Sequence, residues 1–309
     1  MARFARIALW VLVLILALGF GAYRYLLGRS DVPATSTYAL DMSEVRRVAS
    51  STPGDKPVRV NHAQVAIGSL PRGAIFAGES LSVPEPMVHG AYQVVFPDGS
   101  YVVIDSAFDE AGLRAMNPDA KFQSEGYAAI QRALAGARKI VITHEHADHS
   151  GGFAGYADPE NLVGRLELNA EQLANQEQLE RAKFPPALAS GLTPLAYERY
   201  HALAPGVVLV KAAGHTPGSQ MIFVQLADGK ELLFLGDVAW HMDQIRELWY
   251  RPRLVTDFFI GEDRDAVMAQ FRALHDLAGK DPVVLVASHD VAQRDALVAS
   301  GALGANFEF

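Results

Sequence analysis

The stretch ITHEHADHSGG, from Ile142 to Gly152, places three histidines and one aspartate within six residues. The chain of 309 residues has only ten histidines, so three of them in one short segment need a local explanation. Imidazole is polar and bulky, and it fills a hydrophobic core poorly. Imidazole and carboxylate groups are, in contrast, common ligands of zinc and similar divalent cations. The segment therefore predicts a metal site that includes His144, His146, Asp148 and His149.

The residues before this segment predict where it lies in the fold. Lys139 to Thr143, KIVIT, is an apolar run typical of a buried strand. A tight loop after such a strand can direct several short side chains into one pocket. Three other residues with ligand chemistry each follow an apolar strand in the same way, and this repeated context marks them as further candidate ligands: His215, Asp237 and His289.

The remaining pattern predicts a mixed fold. Ala91 to Phe96 and Tyr101 to Asp105 read as a hairpin with Asp98 and Gly99 in its turn. Further strands are predicted at 207–211, 221–226, 231–235 and 283–287, and helices at 127–137, 169–183, 263–278 and 291–300. Strand runs with helices between them predict an α+β fold in which two sheets pack together and helices cover the outside.

Composition excludes some classes of function. The formal net charge of −8 argues against a nucleic-acid partner, because binding to phosphates needs a basic face. The sequence has no cysteine, which excludes disulfides, thiolate nucleophiles and cysteine-ligated zinc. A cysteine-free chain is also compatible with an oxidising compartment.

The N-terminal segment predicts contact with a membrane. Arg3 and Arg6 precede an apolar run from Ile7 to Tyr23, which Arg24 interrupts. We predict that residues 1–29 form an uncleaved signal anchor that places the rest of the chain outside the cytoplasm, in the periplasm. A cleaved signal peptide, leading to secretion, is the alternative. Residues 30–57 read as a linker with one short helix over Met42 to Ala49, and residues 58–309 as one folded domain that holds the predicted metal site.

The motifs taken in order resemble those of the metallo-β-lactamase fold superfamily of hydrolases. The matching elements are His-x-His-x-Asp-His, GHTPGS, LGD and a late SHD, and they extend over roughly residues 58–309. VVIDSAFD resembles the first motif of that family, in which Asp105 orients the metal-binding loop without binding the metal. Asp237 stands 22 residues after His215, an interval typical of the family. The resemblance implies an αββα four-layer sandwich, preceded here by one apolar helix.

The resemblance also implies two divalent metal ions that share Asp237. The first ion would be bound by His144, His146 and His215. The second would be bound by Asp148, His149 and His289. Zinc is the implied metal, while manganese, cobalt and iron stay open. Two such cations would lower the pKa of a water molecule between them, so that hydroxide attacks the substrate, and Asp148 would orient the nucleophile and pass its proton to the leaving group.

Details of the motifs favour one branch of the superfamily. True β-lactamases usually have Cys or Ser where this chain has Asp237. The segment from Ala287 to Asp290, ASHD, is similar to the GHD ending of quorum-quenching lactonases. We therefore expect a small-molecule lactone or other ester as substrate. A β-lactam, thioester or phosphodiester, or a non-catalytic metal-binding protein anchored in the membrane, is the alternative; the oligomeric state stays open.

Three aromatic residues are candidates for the substrate pocket. Lactonases commonly carry Tyr where this chain has Trp240, and indole can only donate its N–H or pack. Trp240 either lines an acyl pocket or belongs to the core. Phe153 and Phe184 are the other candidates. The insert from Asn169 to Leu203 is interpreted as a lid, with an interior hairpin or a dimer contact as the alternatives.

Overall fold

The computed structural model describes residues 2–309, and within that range ten β-strands form two five-stranded sheets. In chain order the strands are β1 (Arg59–Pro71), β2 (Pro84–Val95), β3 (Tyr101–Ile104), β4 (Lys121–Phe122), β5 (Lys139–Val141), β6 (Tyr200–Ala204), β7 (Val207–Lys211), β8 (Gln220–Gln225), β9 (Glu231–Phe234) and β10 (Val284–Val286).

The first sheet has the order β4-β1-β2-β3-β5, and the second has the order β10-β9-β8-β7-β6. Paired strands are antiparallel except for β3 with β5 and β9 with β10. The hairpin of β1 and β2 is the longest element of either sheet, with pairing from Arg59 and Val95 to Pro71 and Pro84. Its tip therefore projects beyond the shorter neighbouring strands.

The helices lie mainly between strands. They are α1 (Ala2–Leu27), α2 (Met42–Ala49), α3 (Arg72–Ile75), α4 (Glu110–Met116), α5 (Ser124–Gly136), α6 (Ala147–Ser150), α7 (Ala170–Ala174), α8 (Gln176–Arg181), α9 (Pro186–Gly191), α10 (Met242–Arg246), α11 (Arg253–Val255), α12 (Arg264–Leu277) and α13 (Val291–Ala299). A π-helical turn, Thr256–Ile260, follows α11 directly.

Three apolar cores separate four layers. The core between the two sheets includes Val94, Ile104, Ile222 and Phe234. A second core lies between the first sheet and the helices outside it, chiefly α5, α8 and α9. The third lies between the second sheet and α2, α10 and α12. This arrangement confirms the predicted αββα sandwich.

One predicted helix is divided in the structure. The sequence predicts a single helix from Asn169 to Lys183, but α7 ends at Ala174 and α8 begins at Gln176. Asn175, between them, is not helical and donates its side-chain N–H to Glu145 Oε1 at 2.7 Å. A tertiary hydrogen bond thus overrides the local helix propensity.

Residues 30–57 lie against the domain. The helix expected at Met42 to Ala49 is present with those bounds, and Met42, Val45 and Ala49 are buried in the core under the second sheet. Ahead of it, the Tyr38 hydroxyl donates to the backbone oxygen of Lys211 at 2.7 Å. This segment therefore packs on the domain through both apolar contacts and a hydrogen bond.

Among residues 2–309, one helix, Arg3–Leu27, is long and apolar enough to cross a membrane. No part of its apolar stretch is buried against the rest of the protein. A signal sequence has the same properties, so the anchor and its location stay predictions.

Candidate metal centre

The histidine-rich segment follows β5 and is held by the strand beside it. Asp105, directly after β3, has a left-handed backbone conformation (φ 64°). Its Oδ1 accepts the backbone N–H of Thr143 at 2.6 Å. The backbone N–H of His149 then donates to the carbonyl of His146 at 3.0 Å, which forms the turn of α6. The chain folds tightly here, so its ligand-type side chains point inward.

Four residues form what we call the histidine-rich group, with ligand atoms all within 4.8 Å of one another: His144, His146, His215 and Asp237. His146 Nδ1 lies 3.1 Å from His144 Nε2 and 3.0 Å from His215 Nε2. Asp237 Oδ2 lies 3.4 Å from His215 Nε2. The side chains come from β5, β7 and β9 loops that are far apart in sequence.

Four residues form a second cluster, which we call the carboxylate-rich group: Asp148, His149, Asp237 and His289. Asp237 Oδ1 lies 3.2 Å from His149 Nε2 and 3.1 Å from His289 Nε2. Asp148 Oδ2 lies 3.4 Å from His289 Nε2. The two groups together are called the metal centre below.

Asp237 belongs to both groups, and its two oxygens are divided between them. Oδ2 faces His215 and His144, whereas Oδ1 faces His149 and His289. A carboxylate in this position can bind two cations at once, one through each oxygen. The structure therefore brings all seven predicted ligands together around one shared carboxylate.

Hydrogen bonds on the far side of three rings fix which nitrogen faces the centre. His149 Nδ1 lies 2.9 Å from Asp105 Oδ2, and His215 Nδ1 lies 2.9 Å from Glu262 Oε2. His289 Nδ1 lies 2.8 Å from the backbone oxygen of Val88. Each acceptor requires a proton on Nδ1, so in the neutral ring Nε2 keeps its lone pair. In their neutral form these three rings thus direct their lone pairs at the centre.

The unpaired atoms of the centre fit a cation. Within residues 2–309, His149 Nε2 and Asp237 Oδ1 are buried and have no hydrogen-bond partner. Buried polar atoms are normally paired, and an acceptor lone pair beside a carboxylate oxygen is satisfied by a metal ion. The donor set, imidazole nitrogen and carboxylate oxygen without sulfur, suits zinc or a similar divalent ion.

The imidazoles of the centre differ in electrostatics, also within the histidine-rich group, where Asp237 and Glu262 outweigh burial and raise the pKa of His215. Burial lowers the pKa of His146 to about 3 and also lowers the pKa of His144 well below its ordinary value. Burial acts in the same direction on His149, but the three carboxylates around it outweigh burial and raise its pKa well above the usual value. Burial raises the pKa of Asp148, yet the charge of His149 outweighs it and the pKa is lowered. The carboxylates of the centre are therefore held ionised.

Three supporting residues were not expected from the sequence. Glu262 contacts His215, and burial raises its pKa while Arg251 lowers it more, to about 2. Arg251 is fully buried and donates to Glu262 Oε2 at 2.9 Å and to the backbone oxygen of Asp237 at 3.2 Å. His89, in β2, is buried with Nδ1 3.6 Å from Asp148 Oδ2. None follows a strand in the motif pattern, so only the tertiary fold identifies them.

Of the three pocket candidates, one reaches the centre. Trp240 donates its indole N–H to Asp237 Oδ2 at 2.8 Å. Phe153 and Phe184 instead pack against each other in the core outside the first sheet, with ring centroids 5.4 Å apart. Phe153 has no exposed surface and Phe184 only 5%, so neither can line an open pocket. The pocket role predicted for these two residues is corrected: both are buried in the core that also holds Leu179 of α8 and Leu188 of α9.

Comparison with known proteins supports the family resemblance found in the sequence motifs. A family model described as the metallo-beta-lactamase superfamily matches residues 88–289, well over half of the chain. An N-acyl homoserine lactonase from Bacillus thuringiensis is 24% identical over 154 residues, which are 50% of this chain and 56% of the relative. The match thus spans little more than half the length of that curated relative.

Two solved structures show the likeness in fold. One is an N-acyl homoserine lactone hydrolase with the product N-hexanoyl-L-homoserine bound at the catalytic metal centre; its TM-score is 0.61 at 13% identity, over 78% of this chain and 96% of that one. The other is a dizinc quorum-quenching lactonase in complex with a product; its TM-score is 0.53 at 14% identity, over 79% and 92%. At these identities the likeness shows the fold alone.

Proposed function

The chain belongs to the metallo-beta-lactamase superfamily, and from that premise we propose that it is a dinuclear metal-dependent hydrolase that cleaves a lactone or a related ester. The observation that carries this proposal is the division of Asp237: one oxygen faces the histidine-rich group and the other faces the carboxylate-rich group. A mononuclear or purely structural site does not need a carboxylate shared in this way.

The proposed ligands are the seven residues predicted from the sequence. His144, His146 and His215 would bind one ion, and Asp237 would bridge to the other. That second ion would be bound by Asp148, His149 and His289. The expected ion is zinc. When bound, the two cations would supply Lewis acidity, lowering the pKa of a water molecule and polarising the substrate carbonyl.

Asp148 is the proposed proton carrier. Its Oδ2 lies 3.4 Å from His289 Nε2 and 3.6 Å from His89 Nδ1, so it lies beside two imidazoles of the centre. An ionised carboxylate at this position can accept the proton of the attacking water and return it to the alcohol oxygen that leaves. The bond between acyl carbon and ring oxygen breaks, and a hydroxy acid is released.

The supporting contacts orient these ligands. Asp105 holds the ring of His149, and Glu262 holds the ring of His215. We propose that Trp240 holds Asp237 through its indole N–H, and does not take the place of a phenol that contacts substrate. Lactonases commonly have Tyr at this position, and the Trp of this chain is still compatible with hydrolysis. Because its indole N–H donates to Asp237, the substrate carbonyl must accept a hydrogen bond from another residue.

Relatives support the substrate class. The curated relative that shares 24% identity is an N-acyl homoserine lactonase, and one structural neighbour holds the product of lactone hydrolysis at its metal centre. A second neighbour is a dizinc enzyme. For this chain we propose an acyl lactone as the first substrate to try, with an aryl ester second.

We also propose that α1 anchors the protein in a membrane, with the domain on the non-cytoplasmic side. The support is its apolar length and its freedom from burial against the domain. Cleavage of this segment as a signal peptide would release the domain instead.

The test is metal content together with turnover, on the full chain. Purified protein is assayed for bound metal and then for hydrolysis of an N-acyl homoserine lactone, an aryl ester, a chromogenic β-lactam and a phosphodiester. We expect two ions per chain and hydrolysis of the lactone or the ester, and loss of both properties in Asp237→Asn. The matched control is Asp98→Asn, an exposed carboxylate in the β2–β3 turn.

Each result bears on a different part of the proposal. Two bound ions without turnover of any of the four substrates would favour the non-catalytic alternative. Full metal content and full turnover in Asp237→Asn would remove the bridging assignment.

A further inference from the structure

The C-terminal end of α1 is fixed to the domain by two separate contacts. At the tip of the β1–β2 hairpin, Gly78 donates its backbone N–H to the carbonyl of Leu27 at 2.7 Å. From the other direction, the guanidinium of Arg253 lies 4.9 Å from the ring centre of Tyr25. The hairpin tip and α11 therefore both lie where α1 leaves its apolar stretch.

Large apolar side chains are exposed on these same two elements. Phe258 and Phe259, in the π-helical turn after α11, are 69% and 72% exposed. Leu81 and Val83, at the hairpin tip, are about half exposed. We call these four residues the apolar patch. Both pairs lie on elements that contact the C-terminal end of α1, and exposed apolar side chains grouped in this way mark surfaces that contact a partner or a membrane.

The direction of the two phenylalanines is set by the packing beneath them. Val255 and Ile260, which flank them in sequence, pack in an apolar cluster with Phe76 and Trp240. The turn is thus attached to the domain from within, and Phe258 and Phe259 point away from it. Folding alone gives no reason to expose two adjacent aromatic rings here.

We propose that Phe258 and Phe259, together with Leu81 and Val83, enter the interface of the bilayer that α1 crosses, so that the domain docks on the membrane by this face. This proposal rests on the membrane anchor proposed above. A lipid surface is the occupant that fits, because the apolar and unburied surface of α1 ends beside the patch and needs lipid itself. Once α1 is inserted, the patch is already held at the membrane.

Docking by this face determines how far the metal centre lies from the lipid. Strand β2 leads from the hairpin tip to His89, which contacts Asp148 of the carboxylate-rich group. From Val83 to His89 is a run of six residues, or about 20 Å of extended strand. On the other element, Glu262 follows the π-helical turn and contacts His215. Both parts of the patch are therefore connected to the centre over a short length of chain.

The experiment uses single reporters, which the absence of cysteine makes unambiguous. The variants Phe258→Cys and Phe259→Cys are labelled with an environment-sensitive fluorophore, and the full chain is reconstituted in vesicles of phosphatidylcholine and phosphatidylglycerol. Phe309→Cys is the matched control, because Phe309 is 61% exposed and lies against Arg132 and Tyr101, away from α1. Leu14→Cys, within α1, reports the anchor. Quenching by nitroxide-labelled lipid is compared with quenching by iodide in water.

We expect lipid nitroxide to quench the probes at 258 and 259 several-fold more than the probe at 309. If lipid nitroxide quenches the probe at 14 but quenches the probes at 258 and 259 no more than the probe at 309, the docking is overturned and the anchor stands. If iodide quenches the probe at 14 as strongly as the probe at 309, the anchor and the docking are both overturned. Protection of 258 and 259 from iodide without lipid quenching means that a second copy covers the patch, which also overturns the proposal.

Unchanged metal content in each labelled variant shows that it has folded, independently of hydrolysis. If Phe258→Cys loses its metal, the comparison uses Phe259→Cys, and if Phe259→Cys loses its metal, the comparison uses Phe258→Cys.

Discussion

The two halves of the metal centre are built from different chemistry. The histidine-rich group brings three imidazoles to Asp237, and a buried pair from the segment between α10 and α12, Arg251 and Glu262, supports it. The carboxylate-rich group brings two imidazoles and a second carboxylate, and residues of the first sheet support it: Asp105 after β3 and His89 in β2. One half therefore depends on a distant ion pair and the other on its own nearby carboxylates.

The difference teaches where each half can fail. A buried ion pair is costly to break, because the partner that stays behind is an unpaired charge. In the carboxylate-rich group each carboxylate already lies beside an imidazole, so the removal of one hydrogen bond costs less free energy of folding. We therefore expect damage to the support of the histidine-rich group to affect folding and metal binding together, and damage to the other support to affect metal binding alone.

The largest effect is expected from Arg251→Met. This change leaves the Glu262 carboxylate buried without its cation and removes the donors to the backbone oxygens of Asp237 and Val238. The free energy of unfolding should fall by about 3–5 kcal/mol, as for other broken buried pairs. Denaturant unfolding of the metal-free chain measures it. The control is Arg246→Met, which removes an arginine exposed on α10.

A second variant separates folding from metal binding. Arg251→Met combined with Glu262→Met replaces the pair by apolar groups and should recover much of the lost stability. It also removes the acceptor of the His215 proton, so binding of the ion in the histidine-rich group should stay weak. Recovery of both properties in the double variant would show that Glu262 has no part in orienting His215.

The next effect is expected from Asp105→Asn, in the support of the other group. Asparagine tolerates the left-handed backbone at this position, so the fold is kept. It has only one carbonyl oxygen, whereas Asp105 serves the N–H of Thr143 with Oδ1 and the ring of His149 with Oδ2. Affinity for one of two ions should fall about 10–100-fold, as for other residues behind a ligand. Competition with a chelator measures the two affinities, and equal weakening of both ions would contradict the division into two groups.

A smaller effect is expected from Trp240→Phe, which tests the bridge between the groups. The change removes one N–H donor to Asp237 Oδ2 and keeps an aromatic ring beside Arg251. A hydrogen bond to a charged group contributes about 1.5–3 kcal/mol, part of which a bound cation would replace, so we expect a loss of metal affinity of about tenfold. Trp249→Phe is the matched control, because its indole N–H donates at the same distance to the backbone oxygen of Ala77. Equal effects from both variants would argue against a role for Trp240 in holding Asp237.

The sequence predicted the ligands better than their supports, for a physical reason. A ligand at the end of a buried strand has a local signal, because the apolar run and the polar side chain are adjacent, as in β7 before His215. Glu262, Arg251 and His89 act through contacts between distant parts of the chain, and no local pattern records these contacts. The pocket role predicted for Phe153 was wrong for a related reason. A residue can be close to the ligands in sequence and still have its side chain in a core away from them.

The smallest effect is expected from His62→Gln, which separates the acid sensitivity of the fold from that of the metal centre. His62 in β1 is buried, and burial lowers its pKa to about 3, so it stays neutral in the native state, whereas the unfolded chain binds a proton near pH 6.5. Below pH 6.5 the unfolded state therefore carries more protons, and stability falls as the pH falls toward 3. At pH 6 this loss is about 0.8 kcal/mol relative to high pH. Unfolding of the metal-free chain at pH 6 and pH 8 should show a smaller difference in His62→Gln than in the parent, by that amount. An unchanged pH difference would place the acid sensitivity of the metal-free fold elsewhere, and the histidines of the metal centre would be the groups to examine.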